Sequence, residues 1–248
     1  MTELVNRFKK VQIVPAGTLK IIAIVTMLID HFAAGVYASL YSCGYLYRHG
    51  LSYQAVDVYY LCRNIGRFAF PIFCFLLVEG FFYTKSRVKY FRNLFIFAFI
   101  SEVPFDLLLM NGIGFKGQSV YFTLFLAFLM IWGITKVKEK FFEDPIISLV
   151  LEAGIILFVC FAAHVLKTDY SYYGIVLVAI FYYYRKNRFL ACLVGYVWFL
   201  FEPWCIFAFI ALLFYNGKRG INLKYFFYAF YPAHLLLLYG LRVLLIGS

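Results

Sequence analysis

The chain has 248 residues, 65% of them hydrophobic and only 14% charged, with a mean hydropathy of +0.84, where soluble domains are about 45–50% apolar and ~25% charged. A chain of this size has too little interior to hide that much apolar surface from water, so a soluble domain is excluded and most side chains must face lipid or one another inside a bilayer. The net charge of +11 is then a topology signal, because Lys and Arg flank membrane spans, and it does not indicate a nucleic-acid partner.

The opening residues set Leu4, Val5, Phe8 and Val11 at helical spacing among Arg7, Lys9 and Lys10, and end on the breakers Pro15 and Gly17. This predicts a cytoplasmic amphipathic helix over 1–17, lying on the inner leaflet, ahead of a single transmembrane helical domain over 18–248. A cleaved signal peptide is the competing reading, but the apolar run from Leu19 is too long for one and is interrupted by Asp30-His31.

Apolar stretches long enough for ~30 Å of hydrocarbon at 1.5 Å per residue follow near 18–40, 64–83, 91–110, 119–135, 146–166, 171–184, 189–201, 204–216 and 225–246. The seventh and eighth are short, and Glu202-Pro203 between them reads either as a tight turn or as a kink in one broken helix. The expected fold is all-α: a polytopic transmembrane helix bundle of about nine spans, multi-pass in the cell membrane. No internal repeat or soluble domain is visible.

Charge sets the orientation. Arg7, Lys9 and Lys10, then Lys85, Arg87, Lys89 and Arg92, then Lys136, Lys138 and Lys140, then Arg185, Lys186 and Arg188, then Lys218, Arg219 and Lys224 fall in alternate connections and make up sixteen of the 23 basic residues. The intervening connections hold only Arg48, Arg63 and Arg67, then Lys116, then Lys167. The positive-inside rule puts the N-terminus in the cytoplasm. Six cysteines, Cys43, Cys62, Cys74, Cys160, Cys192 and Cys205, lack CxxC spacing and argue against zinc or redox work. Cys43 and Cys62 share the first outer connection, either as a disulfide or as two small apolar residues.

Ionisable groups inside spans cost several kcal/mol unless paired or hydrated, which makes them functional candidates. Asp30 and His31 lie about 18 Å in from Thr18 at 1.5 Å per residue, in the outer half. Arg63 and Arg67, four apart and on one helix face, enter the second span from outside. Glu102 and Asp106, around Pro104, leave the third span toward the same side. His164, Lys167, Asp169 and Tyr170 surround the next outer turn, Glu202 the one after, and His234 sits near the middle of the last span. With Glu79 and Glu152 these make a polar core opening outward. Structural readings stand beside the functional ones: a Glu102–Arg67 ion pair holding the bundle, Glu152 as a hydrogen-bonding group, His164 as an interfacial residue. A carboxylate next to an imidazole deep in a first span has few such explanations, so Asp30 and His31 are the foremost candidates. The 22 Tyr and 31 Phe are explained by aromatic belts and helix packing rather than by a cofactor box.

The segments LKIIAIVTMLIDHF (19–32), GRFAFPIFCFLLVEGF (66–81), SEVPFDL (101–107), FTL (122–124), KTDYSYYG (167–174) and FYPAHL (230–235) resemble, in order and across nearly the whole chain, the TraX family of integral-membrane proteins, whose founding member is associated with acetylation of a pilin N-terminus. More loosely, the first two spans look like those of the wider transmembrane acyltransferases, with Glu79-Gly80-Phe81 ending the second. The resemblance implies a membrane acetyltransferase that takes acetyl-CoA from the cytoplasm as co-substrate and delivers the acetyl group to an amine or hydroxyl of an exported peptide, glycan or lipid-linked acceptor. It makes His31 the general base, with Asp30 or another carboxylate orienting it. An imidazole is basic near neutral pH without tuning, and the oxyanion formed on a thioester needs a fixed cation or donors, for which Arg67 is best placed. The same reading makes Glu102, Asp106, His164, Asp169, Tyr170 and His234 acceptor-binding candidates, and Arg87 and Lys89 candidates for the CoA phosphates; no metal is expected. Two competing functions are a proton-coupled transporter using Asp30, His31, Glu102 and His234 as a relay, disfavoured by the lack of repeated halves, and a non-catalytic assembly or immunity factor, which would bind no CoA.

Overall fold

The computed structural model describes residues 12–51, 54–110, 112–221 and 224–246; of the predicted interfacial segment, residues 1–11 lie outside them. Nine helices of eight or more residues occupy these ranges: α1 (Ala16–Ser42), α2 (Ala55–Tyr83), α3 (Arg87–Met110), α4 (Val120–Lys140), α5 (Pro145–Val165), α6 (Ser171–Tyr183), α7 (Arg188–Trp198), α8 (Pro203–Leu213) and α9 (Lys224–Ile246). Among the described residues there is no strand, only two isolated bridges. Six helices, α1 to α5 and α9, are long and apolar enough to cross a membrane, and α6 to α8 are shorter; the chain is a multi-pass membrane protein. At 21 residues α4 spans about 31 Å, the thickness of the hydrocarbon layer.

Helix boundaries follow local chemistry. Pro145 takes the first position of α5, where a missing N–H costs nothing, and the Asn187 side chain accepts the Leu190 amide at the start of α7. Glu202-Pro203 proves to be a turn between two separate helices, with the Cys205 amide bonded to the Glu202 carbonyl at 3.0 Å. α2 begins at Ala55, well before the predicted 64, because its first twelve residues are amphipathic and carry Asp57 and Arg63, which hydropathy alone reads as loop. It is interrupted at Arg67-Phe68, whose amides bond three residues back, to Asn64 and Ile65 (both 3.2 Å).

The chain forms two compact units. The first takes residues 12–73, 103–113 and 200–246 so far as they are described: α1, the first part of α2, the end of α3, α8 and α9. Its core includes Leu19, Ala23, Val36, Leu108, Leu212 and Leu235. The segment before α1 is held by backbone pairing, with the Val14 amide on the Phe214 carbonyl (3.0 Å) and the Asn216 amide on that of Val14 (2.9 Å). The Ala16 and Gly17 amides, which the helix itself cannot satisfy, bond the carbonyls of Lys218 and Arg219. All six cysteines are free thiols, Cys43 and Cys62 among them.

The second unit takes 74–102 and 114–199. Here α4, α5 and α6 pack on one another and α7 packs on α6, around Phe81, Phe128, Ile131, Ile175 and Phe181. Its acidic groups near Lys and Arg are paired: Arg185 with Glu79 (2.8 Å), Lys138 with Glu152 (3.3 Å), Arg87 with Glu139 (4.0 Å). Glu152 also accepts from Ser148 (2.8 Å) and Tyr183 (2.6 Å), so this buried carboxylate is fully engaged.

Candidate functional site in the first unit

Neighbouring residues on a helix project about 100° apart, since 3.6 residues make a turn. Asp30 and His31 therefore address different partners. Asp30 turns to α2, where the Arg63 guanidinium lies 2.7 Å from its carboxylate. His31 turns to α9: its Nδ1 is 2.7 Å from Nε2 of His234, with the ring centroids 5.0 Å apart and the two planes within 22° of each other. Both imidazoles are buried, at 8% and 3% exposure. His234 is held in turn by its Nδ1, which donates to the Phe230 carbonyl one helical turn earlier at 2.7 Å. Tyr231, also buried, stands edge-on to both rings.

Two π-helical turns frame this pair. α1 widens immediately after His31, over Phe32–Tyr37, so that the Ala38 amide reaches back five residues to Ala33. α3 widens over Asp106–Met110. Such turns recur at functional sites because they re-aim side chains and loosen backbone bonding. The Arg242 guanidinium of α9 takes up the second, donating to the carbonyls of Leu107 (2.7 Å) and Leu108 (2.9 Å). The two turns meet where Gly35 faces Leu108, and a Cβ at Gly35 would lie 2.4 Å from a Leu108 methyl.

Arg67, at the break in α2, pairs through Nε with Glu202 Oε2 at 3.0 Å. Asp30, Arg63, Arg67 and Glu202 thus form a charge-balanced quartet, with side chains 16–23% exposed. Asp106 is buried in the same unit at the head of its π turn.

The remaining sequence candidates belong to the second unit. Glu102 accepts from the Ser119 amide (3.2 Å). His164 is exposed near the end of α5, its ring 6.4 Å from that of Tyr172. Asp169 is exposed, with its amide on the Gln118 carbonyl (2.9 Å) and its own carbonyl accepting from the Thr123 hydroxyl. Tyr170 stacks on Phe199 at 5.9 Å and has a left-handed backbone (φ 59°), as do Lys167 (53°) and Ser171 (43°). Three non-glycine residues in that region within five positions is a concentration of strain. Arg87 lies over the Phe81 ring (4.3 Å) and Lys89 is exposed. Among the described residues no group of three or more His, Cys, Asp and Glu is placed to hold a metal ion.

Sequence reasoning passed over Arg242, Tyr231 and both π turns. A lone Arg near the end of the last apolar run was the available signal for the first; the π turns have none beyond Gly35 and Pro104.

A family model described as TraX protein matches residues 16–242. The chain belongs to the TraX protein family. The match begins at the first residue of α1 and ends at Arg242, so every residue of the His31 and Asp30 groups lies within the TraX region. The chain is also similar to a curated protein of Dichelobacter nodosus, named probable fimbrial assembly protein FimC, serogroup H1, with 29% identity over 261 residues covering 93% of this chain and 96% of the relative. No solved structure matches significantly.

Proposed function

We propose that this TraX protein is a membrane-embedded acetyltransferase that moves an acetyl group from cytoplasmic acetyl-CoA to an amine or hydroxyl of an acceptor in the outer half of the bilayer. The observation that carries the reading is the state of His31, a buried imidazole whose Nδ1 is engaged by His234 and whose Nε2 takes no hydrogen bond from the described residues. A general base needs this arrangement: one ring nitrogen fixed, the other open to the proton it removes.

In the step proposed, the acceptor nitrogen or oxygen attacks the thioester carbon as His31 Nε2 takes its proton. The carbonyl becomes a tetrahedral oxyanion, for which Arg67 is the proposed electrostatic partner. The C–S bond then breaks, and the proton on Nε2 passes to the leaving thiolate, giving CoA–SH, the acetylated acceptor and His31 as it began. Donor phosphates need basic side chains, a role proposed for Arg87 and Lys89 on charge. An acceptor contact is proposed for Asp106, buried in the same unit as His31. The relative named for fimbrial assembly supports an exported, pilin-like peptide as the acceptor.

Purified protein incubated with acetyl-CoA carrying a labelled acetyl group tests this. Saturable binding, and label appearing on a peptide amine or a hydroxyl acceptor, is the expected result. Absence of any CoA binding in folded protein would move the reading to an assembly factor, and proton-driven solute uptake by liposomes without CoA would move it to a transporter.

A further inference from the structure

The hydrogen bonds around His234 fix where the protons sit. A carbonyl oxygen only accepts, so His234 Nδ1, 2.7 Å from the Phe230 carbonyl, carries a hydrogen. In a neutral ring its Nε2 is then a bare acceptor. The 2.7 Å contact with His31 Nδ1 requires one hydrogen, which must come from His31. His31 Nδ1 is the donor, and His31 Nε2 keeps its lone pair. The opposite arrangement, His234 donating from both nitrogens, makes it a cation buried to 3% exposure. A buried charge needs a counter-charge, and Asp30, the carboxylate next to His31 in sequence, is turned to Arg63 at 2.7 Å.

We propose that His234 is a positioning residue for the acyl-transfer step: it holds His31 in the Nδ1–H tautomer and aims the Nε2 lone pair at the acceptor. The inference rests on the acetyltransferase reading and assigns to a neutral imidazole, anchored on the Phe230 carbonyl, the task a carboxylate performs in other acid–base pairs. When Nε2 takes the acceptor proton, His31 becomes an imidazolium with its Nδ1–H still bonded to neutral His234. The proton leaves again from Nε2, to the thiolate, so none passes through His234. A neutral partner suits a buried site, because it orients the base without burying a second full charge beside it.

The test reads tautomer and turnover together. With ¹⁵N-labelled histidine, the His31 ring signals are identified by their loss in His31→Asn, and the expected pattern in the wild type is a protonated Nδ1 and a bare Nε2. His234→Leu removes the acceptor: His31 should shift toward the Nε2–H form, and kcat should fall by about 10²–10⁴-fold, the range of positioned acid–base catalysis, with KM for acetyl-CoA unchanged. His234→Gln supplies a carbonyl to accept from His31 and an NH2 to donate to Phe230, and should restore both the tautomer and turnover to within roughly tenfold. A wild-type His31 protonated at Nε2 overturns the proposal, as does undiminished kcat in His234→Leu. So does a His234→Gln protein that keeps the Nδ1–H form yet is as inactive as His234→Leu, since the proton would then travel through His234. The ring signals need no turnover, so an Nδ1–H His31 in a protein that transfers no acetyl group supports the pairing and removes the acyl-transfer reading alone.

Discussion

Gly66 and Asp30 lie so close that a Cβ added at Gly66 would stand 2.3 Å from the Cβ of Asp30. The absent side chain lets α2 approach α1 closely enough for Arg63, three residues earlier, to reach the Asp30 carboxylate. Gly66→Ala must force the helices apart, an overpacking that typically costs about 1–3 kcal/mol. Thermal unfolding of the purified protein should show Tm lowered by several degrees. Gly154→Ala, where nothing lies within 4 Å, should leave Tm unchanged or raise it, since Ala is the better helix former.

The Asp30–Arg63 pair is expected to act on stability more than on chemistry. Removing one partner of a largely desolvated pair strands the other, so Asp30→Asn and Arg63→Gln should each lower stability, by roughly 1–3 kcal/mol given the partial exposure. The double variant should lose less than the sum. Because His31 is oriented from α9, turnover per folded molecule in Asp30→Asn should stay within about tenfold of wild type. A loss as deep as that of a His31 variant, with unchanged unfolding, would make the carboxylate the orienting group.

Arg67 and Glu202 separate an ion pair from an oxyanion contact. Exchanging them, Arg67→Glu with Glu202→Arg, preserves the pair and should recover most of the stability lost in either single variant. Turnover should remain down by about 10²–10³-fold, the usual cost of removing one oxyanion donor. Full recovery of turnover in the exchanged protein would leave Arg67 a purely structural role.

Much of this architecture is legible in the sequence, and the parts that are not have identifiable reasons. Each of the nine described helices overlaps a predicted apolar run, but six, not nine, are long and apolar enough to cross a membrane, the lengths lipid demands when backbone bonds must close within the helix. Depth along a helix is also readable, which is why Asp30 and His31 drew attention. Which partner each one meets is not. His31 and His234 are 203 positions apart, and nothing in either segment announces the contact. The sequence offers Glu102, in the very next span, as a partner for Arg67, while the first unit pairs Arg67 with Glu202. The early start of α2 was hidden because Asp57 and Arg63 depress its hydropathy while helical periodicity persists. The strain at Lys167, Tyr170 and Ser171 was visible only as the string KTDYS, since no glycine marks the left-handed positions.

Orientation can be read from a native thiol. Cys43 is the one exposed cysteine among the six, in the connection after α1, which the distribution of basic residues puts outside. A membrane-impermeant maleimide applied to intact cells should label the protein, and Cys43→Ser should abolish the label. Labelling that requires permeabilised cells would invert the topology and place the N-terminus outside.

The role of His31 in removing the acceptor proton is read by single-turnover acetyl transfer in His31→Ala and His31→Gln, alongside acetyl-CoA binding. Both variants should bind the donor with unchanged affinity and transfer at least about 10²-fold more slowly, since Gln restores polarity without basicity. Transfer at the wild-type rate in either well-folded variant would mean that His31 is not the base and that another group takes the proton.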